Sequence, residues 1–329
     1  DMGMRWFPVV GWAERGGGLA TGHGNSVPRF HVTWGAGPGV IEPFERRVRA
    51  HASAGRIKML FRHRADRLVK TRGRISGVAG SILEPSIVGR GQRSGRGVVA
   101  SFEIKCGTVL VTSGGIGGNL ALVRKMWPID RLGAAPKSMV CGVPHHVDGR
   151  MISITEKAGG SVVNRDRMWH YVEGLRNWNP IWPNHGIRIL PGPSSLWFDA
   201  RGNRMPAPCF PGFDTLATLK HILSTGYEYS WFVLTQKIIE KEFALSGSEQ
   251  NPDLVSRKWI EVLKSRRSKG APPPVEAFKQ HGEDFVVRDT LAELVAGMNI
   301  LTGDNLIEHD SLAAQIEARD REIDNPFTK

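Results

Sequence analysis

The sequence predicts an α/β protein in two parts: part of a Rossmann-like domain with a β-meander over residues 1–127, then an α+β domain over residues 128–329. Three observations predict it. A glycine-rich turn, G-A-G-P-G from Gly35 to Gly39, feeds an apolar-periodic helix. Short strands follow, and the last of them stops in S-G-G-I-G-G at Gly118. Beyond Trp127 the texture changes to clustered tryptophan and proline, as in W-N-P-I-W-P and L-P-G-P-S-S-L-W-F.

In chain order, Val40, Ile41, Phe44 and Val48 share one face of a helix that Gly55 should stop. Strands are expected over 57–61 and 67–70, and T-R-G-R turns the chain into a third over 75–79. The Gly/Ser/Arg-rich stretch 84–97 reads as a loop, and strands over 98–104 and 108–111 follow it. This order is the second half of a doubly wound unit, with the meander as its crossover. In the second part, L-W-F-D-A-R-G-N-R-M is a hairpin turning at Arg201, Gly202 and Asn203. Asp214 is a good N-cap for a helix over 215–223, with Gly226 as its stop. A strand over 231–234 and helices over 255–267, 290–298 and 312–323 complete the pattern.

Composition excludes several classes. With 40% apolar and 23% charged residues the chain is neither disordered nor fibrous. No apolar run approaches the ~20 residues that a membrane span needs. Cys106, Cys141 and Cys209 form no CxxC and no Cys/His ligand spacing, so no metal site and no disulfide framework are indicated. A reduced, cytoplasmic setting is expected. The net charge of +12 is concentrated between Arg46 and Arg74. Those arginines and lysines alternate with apolar residues, which reads as a solvated basic face. The rival reading is a basic protein that binds nucleic acid or an anionic surface without catalysis, but no nucleic-acid motif accompanies the charge.

The run V-L-V-T-S-G-G-I-G-G, from Val109 to Gly118, raises its own question, because glycine loses more freedom on folding than any other residue. It is either a tight turn between domains or backbone that a nucleotide approaches. A GxGxxG fingerprint does not fit it, and no acidic residue follows at the spacing that ribose binding needs.

The order of three segments carries a resemblance. G-N-S-V-P-R-F-H-V-T-W-G-A-G-P-G, F-R-H-R-A-D-R-L-V and V-L-V-T-S-G-G-I-G-G stand as they do in the flavoprotein family of fumarate reductases and ketosteroid dehydrogenases. The chain further resembles the bacterial FAD-binding dehydrogenases of that family through V-T-S-G-G-I-G-G-N, D-R-M-W-H-Y and G-S-E-Q-N-P-D. The likeness runs end to end. It implies FAD as cofactor, an FAD-binding first part and a capping, substrate-binding second part. It sets Ser113, Gly114 and Gly115 at the family's T-G-G, Arg64 and Ala65 beside the adenine, and Gly35, Gly37 and Gly39 along the turn entering the flavin-side helix. It also implies an internal fragment, with the family's GxGxxG unit before Asp1 and its flavin-ring segment after Lys329.

A flavin desaturase needs a base for the proton on the carbon next to the hydride donor. The chain has three tyrosines, and the resemblance favours Tyr171, in D-R-M-W-H-Y-V-E-G, as the catalytic one; a wall-forming aromatic is the alternative. His170 is a second catalytic candidate or a structural histidine. Arg176 and Arg188 could hold an acidic substrate group or simply be solvated. Fumarate reductases keep a proton-donating arginine just after a G-x-R-F-x-N-E hairpin. Here that hairpin reads G-N-R-M-P-A-P and Phe213 stands at the arginine position, which argues against a small dicarboxylate. Trp169, Trp178, Trp182 and Trp197 favour a larger, apolar substrate, and the resemblance implies a steroid-like one. The electron acceptor is not specified by any motif.

Overall fold

A computed structural model describes residues 2–8, 31–89, 92–267 and 269–327. Part of the first resemblance segment, residues 24–30, lies outside them. The chain opens with β1 (Trp6–Pro8) paired antiparallel to β2 (His31–Thr33). Gly35, in the left-handed region at φ 94°, then starts α1 (Ala36–Ser53). β3 (His63–Thr71), β4 (Arg74–Leu83) and β5 (Val98–Lys105) form the antiparallel meander in that order. Its first turn is the expected one: Arg72 at φ 51° and Gly73 at φ 76° both take positive φ, as a two-residue primed turn demands. A register shift between Ala65 and Arg67 bends β3 against β4.

After the meander come α2 (Leu120–Lys125), α3 (Ile129–Leu132) and α4 (Arg150–Lys157). The Asn119 carboxamide oxygen caps α2, accepting from the Leu122 amide at 3.1 Å. Next come β6 (Gly174–Arg176), β7 (Gly186–Leu190), β8 (Leu196–Asp199), α5 (Thr215–Ser224), β9 (Ser230–Val233), α6 (Gln236–Glu242) and β10 (Ala244–Leu245). β7 is the centre of a three-stranded sheet, flanked by β10 and β6, and β8 pairs with β9. The helices α7 (Pro252–Ser256), α8 (Trp259–Arg267), α9 (Pro273–His281), α10 (Leu291–Thr302) and α11 (His309–Asp324) close the chain. Asp214 caps α5 as expected, its carboxylate accepting from the Ala217 amide at 2.9 Å.

Two cores organise this part. Ile187 and Ile189 of β7 pack with Phe243, Leu245, Val275 and Phe278. Phe198 of β8 packs with Val295, Met298, Ile307 and Leu312, so α10 and α11 cover the hairpin strand. A third cluster holds Trp127 itself, with Val123 and Leu132, against Leu219 and Leu223 of α5.

Three expectations need correction, and one is met only in its coarse form. Segments 57–61 and 108–111 are not strands, because no neighbouring backbone among the described residues runs alongside to complete a ladder. The apolar stripe of α1 is not a core face: Val40, Ile41, Phe44 and Val48 are all exposed, and only Gly39 and Pro43 of that helix are buried. The helix expected over 255–267 is broken at Arg257, which adopts φ 58° between α7 and α8. Among the described residues every ladder is antiparallel, and the parallel pairing that a doubly wound sheet needs is limited to an isolated bridge between Cys141 and His185. The architecture is therefore mixed α/β with small sheets. No helix among the described residues is long and apolar enough to cross a membrane.

Candidate active site

The glycines at 114–118 divide into two pairs. Gly117 and Gly118 are structural. A Cβ on Gly117 would meet Val143 at 2.8 Å, and one on Gly118 would strike the Pro144 carbonyl. The loop 143–147 packs here, with the Gly118 amide donating to the Val147 carbonyl at 2.8 Å. Gly114 and Gly115 have no such neighbour. Gly114 sits at φ 81° with only Val147 near, at 3.7 Å, and nothing lies within 4 Å of a Cβ on Gly115. Bare, open backbone is what a closely approaching cofactor requires. Ser113 beside them is exposed.

Gly115 lines a groove of about 2090 Å³, and so do His170 and Tyr171. Of the catalytic and cofactor candidates expected from the sequence, the structure brings these three to one groove, which the substrate candidates Arg176 and Arg188 line as well. The remaining cofactor candidates lie elsewhere. Gly35, Gly37 and Gly39 pack on the chain itself: the Arg257 guanidinium lies on Gly35, Gly37 donates its amide to Ser248 Oγ at 3.1 Å, and Gly39 abuts the Trp34 carbonyl. This joins G-A-G-P-G to G-S-E-Q-N-P-D, two motifs far apart in sequence. Trp34 and Trp259, stacked with ring centroids 4.4 Å apart, extend the joint. Arg64 and Ala65 lie in the meander. Arg64 Nε donates to Asp66 at 2.9 Å, and Asp66 in turn accepts from Ser81 Oγ at 2.6 Å and from Arg150 at the start of α4.

His170 and Tyr171 are neighbours with opposite environments. The His170 ring lies against Trp127, centroids 4.8 Å apart, and its Nε2 is buried without a hydrogen-bond partner. Burial pulls its pKa below the usual histidine range, so the ring is neutral at neutral pH. Tyr171 is 43% exposed. The Arg188 guanidinium carbon lies 4.0 Å from the centre of its ring, a cation–π contact.

Arg188 is no solvated side chain. It stands on β7 between the core residues Ile187 and Ile189 but on the opposite face, as strand alternation requires. Its backbone is fixed on both sides by Ser246, whose Oγ accepts from the Arg188 amide at 3.2 Å and whose amide donates to the Arg188 carbonyl at 2.9 Å. Its Nε lies 3.5 Å from Glu173 Oε2, with side-chain exposures of only 10% and 2% for the arginine and glutamate. The second arginine of the expectation, Arg176, stays exposed and pairs with Glu283 at 3.4 Å. Glu173 was not among the sequence candidates. Its signal was a lone acid next to D-R-M-W-H-Y, which has no meaning until β6 and β7 pair and set Gly174 opposite Arg188.

The Arg188–Glu173 pair also forms part of a second cavity, of about 350 Å³. Trp197, Met205, Cys209, Phe210 and Phe213 supply its apolar wall. Phe213 thus reaches a cavity beside Arg188, although the hairpin motif lacks the family's usual residues. Burial raises the Cys209 thiol above its ordinary pKa, so it is a wall residue and no nucleophile. Of the tryptophans expected at a pocket, Trp169 and Trp182 line the larger groove and Trp197 the smaller cavity, whereas Trp178 stacks on His281 outside both.

The open backbone at Gly114 and Gly115 leaves room for a cofactor of the FAD type to approach. All of residues 1–329 match the family described as FAD binding domain. The chain belongs to that family. It is 58% identical over 327 residues to a KsdD-like steroid dehydrogenase of Mycolicibacterium smegmatis, covering 99% of this chain and 59% of the relative. It is 54% identical, over 99% of this chain, to two KsdD-like steroid dehydrogenases of Mycobacterium tuberculosis strains, of which it covers 57%. The chain thus spans a little over half the length of these relatives. The family binds FAD. The rival reading as a nucleic-acid or anionic-surface binder is not favoured. Part of the basic excess is already paired, as in Arg49 with Glu45 and Arg67 with Glu103. Among the described residues no group of three His, Cys, Asp or Glu could hold a metal ion.

Proposed function

We infer that the protein is an FAD-dependent dehydrogenase acting on a CH–CH bond of an apolar, steroid-like substrate. In this reading residues 1–127 belong to a Rossmann-like FAD-binding region and 128–329 to a capping region. The observation that carries it is Tyr171, held under a buried arginine in the groove that Gly115 also lines, within a chain of an FAD-binding family.

FAD, when bound, supplies the two-electron acceptor for the hydride. In this reading the open backbone of Ser113, Gly114 and Gly115 would hold it, Arg64 and Ala65 would serve its adenine part, and the Gly35–Gly39 turn, already packed on Arg257, Ser248 and Trp34, would support the site from the protein side. Tyr171, as phenolate, takes the proton from the carbon adjacent to the hydride donor, and the C–H pair left behind becomes the new C=C bond. His170, neutral and packed on Trp127, forms part of the groove wall beside Tyr171. The apolar walls around Trp169, Trp197 and Phe213 take up a hydrocarbon body and keep water from the reacting carbons. The names of the steroid dehydrogenase relatives support the substrate class. The electron acceptor that reoxidises the flavin is a further, unidentified partner.

Tyr171→Phe in the flavin-loaded full-length protein tests the assignment. It keeps the ring and removes the hydroxyl, so turnover of a steroid substrate should fall by ~10²–10⁴-fold with flavin content unchanged. Unchanged turnover would make Tyr171 a wall residue.

A further inference from the structure

We propose that Arg188, held by Glu173, is the positioning residue for Tyr171: it fixes the ring of the base and sets how readily its hydroxyl ionises. The inference rests on the reading of Tyr171 above and extends it to two residues that touch neither proton nor hydride.

A guanidinium stacked at 4.0 Å on a tyrosine face restricts that ring, and restriction matters because a half-exposed tyrosine otherwise samples several rotamers. The clamp is itself rigid. β7 anchors the Arg188 backbone through two hydrogen bonds to Ser246, and Glu173 holds the side chain from the neighbouring strand start. An arginine at 10% exposure, with a carboxylate at 2% for company, is an expensive arrangement in a wall that could have been aliphatic. Its geometry is directed at one ring.

The electrostatics give each partner a sign. The Arg188 charge favours the phenolate of Tyr171, whereas the Glu173 charge opposes it. His170 is adjacent but neutral, and Trp169 contributes only its ring, 6.0 Å from that of Tyr171. Arg165, Arg167, Arg176, Glu249, Asp284 and Arg288 line the same groove and keep their identity in the variants below. Removing Arg188 therefore makes Tyr171 harder to ionise, and neutralising Glu173 makes it easier. A purely structural pair would produce no such opposed shifts.

The test uses the full-length holoenzyme and two readouts. Tyrosinate absorbance against pH, taken as the difference between the protein and its Tyr171→Phe variant, isolates one ionisation. It should move to higher pH in Arg188→Met and to lower pH in Glu173→Gln. In turnover, Arg188→Met should lower kcat by roughly tenfold to a hundredfold with KM within about twofold, and Arg188→Lys should recover part of the loss. In the Tyr171→Phe background, Arg188→Met should cost nothing more, because both act on one group. Additive losses, or a tyrosinate step indifferent to both Arg188→Met and Glu173→Gln, overturn the inference. If Arg188→Met does not fold, the shift to lower pH in Glu173→Gln still tests the inference, and its absence overturns it. Should Tyr171→Phe keep full turnover, the base assignment fails alone, since the ionisation shifts report the clamp without reference to activity.

Discussion

The strand β8 and the helix α1 are both written in apolar residues, and only β8 acquires a core. All four residues of β8 are buried, with Phe198 at 0% exposure between α10 and α11. Phe44, on the apolar stripe of α1, is 51% exposed, and Val40, Ile41 and Val48 are exposed as well, between 38% and 61%. The neighbouring segments 57–61 and 108–111 are equally apolar and carry no ladder. The difference is one of partners. An amphipathic pattern states which side chains favour removal from water; it does not supply the surface that removes them. β8 finds β9, α10 and α11 within the same 329 residues, whereas no described residue covers the stripe of α1.

Truncation should separate the two regions most sharply. Phe198→Ala leaves a cavity in a filled core and should cost about 3–5 kcal/mol of stability in chemical denaturation. Phe44→Ala in the same chain removes a ring that is already in water and should cost within about 0.5 kcal/mol. A large loss from the second change would mean that the α1 face is packed after all. Repeating it in a longer protein of the family asks whether the additional chain covers that face.

The glycine run offers a second contrast, now between fold and ligand. Gly118→Ala forces a Cβ onto the Pro144 carbonyl and should lower the melting temperature. Gly115→Ala, where a Cβ meets nothing, should leave stability unchanged and weaken FAD binding roughly tenfold or more by titration calorimetry on the full-length protein. Equal FAD affinity in the Gly115 variant would remove that turn from the cofactor site.

The smallest expected effect concerns the joint between the meander and α4. Burial alone would raise the Asp66 pKa, but hydrogen bonds from Ser81 and Arg64, with the charges of Arg150 and Arg64, outweigh it and hold the carboxyl below its usual range. A depressed folded-state pKa gives stability that is present above the unfolded value of ~3.9 and is lost as pH falls through the folded one. The protection of the amides at residues 148–150, measured relative to their intrinsic exchange rate, should therefore be high at neutral pH and fall in acid below about pH 4. Asp66→Asn should abolish that dependence, and an unchanged acid response would place its source elsewhere.

Much of the local structure was legible. The Thr-Arg-Gly-Arg turn, the Asp214 cap and the meander strands follow from φ preferences and short hydrogen bonds, which the sequence specifies within a few residues. So does the family, because three motifs in fixed order survive any rearrangement of loops. The fold class was readable only in its coarse form, since a ladder depends on a second strand and 57–61 and 108–111 met none. The break at Arg257 was hidden for a similar reason: its left-handed φ is held by a contact to Glu42, on a helix more than two hundred residues earlier.

At the candidate site the division is the same. Sequence alone determined the bare backbone at Gly114 and Gly115, the presence of Tyr171 and His170 side by side, and the replacement of the hairpin arginine by Phe213. Only the tertiary structure decided that Gly117 and Gly118 serve packing while their neighbours stay open, and that His170 is buried and neutral while Tyr171 is not. It also turned Arg188 from a candidate surface charge into a buried arginine stacked on Tyr171. The physical reason is that a side chain's identity fixes its chemistry, whereas its pKa, its freedom and its partner are set by what lies within about 4 Å, and those neighbours come from strands and loops remote in the chain.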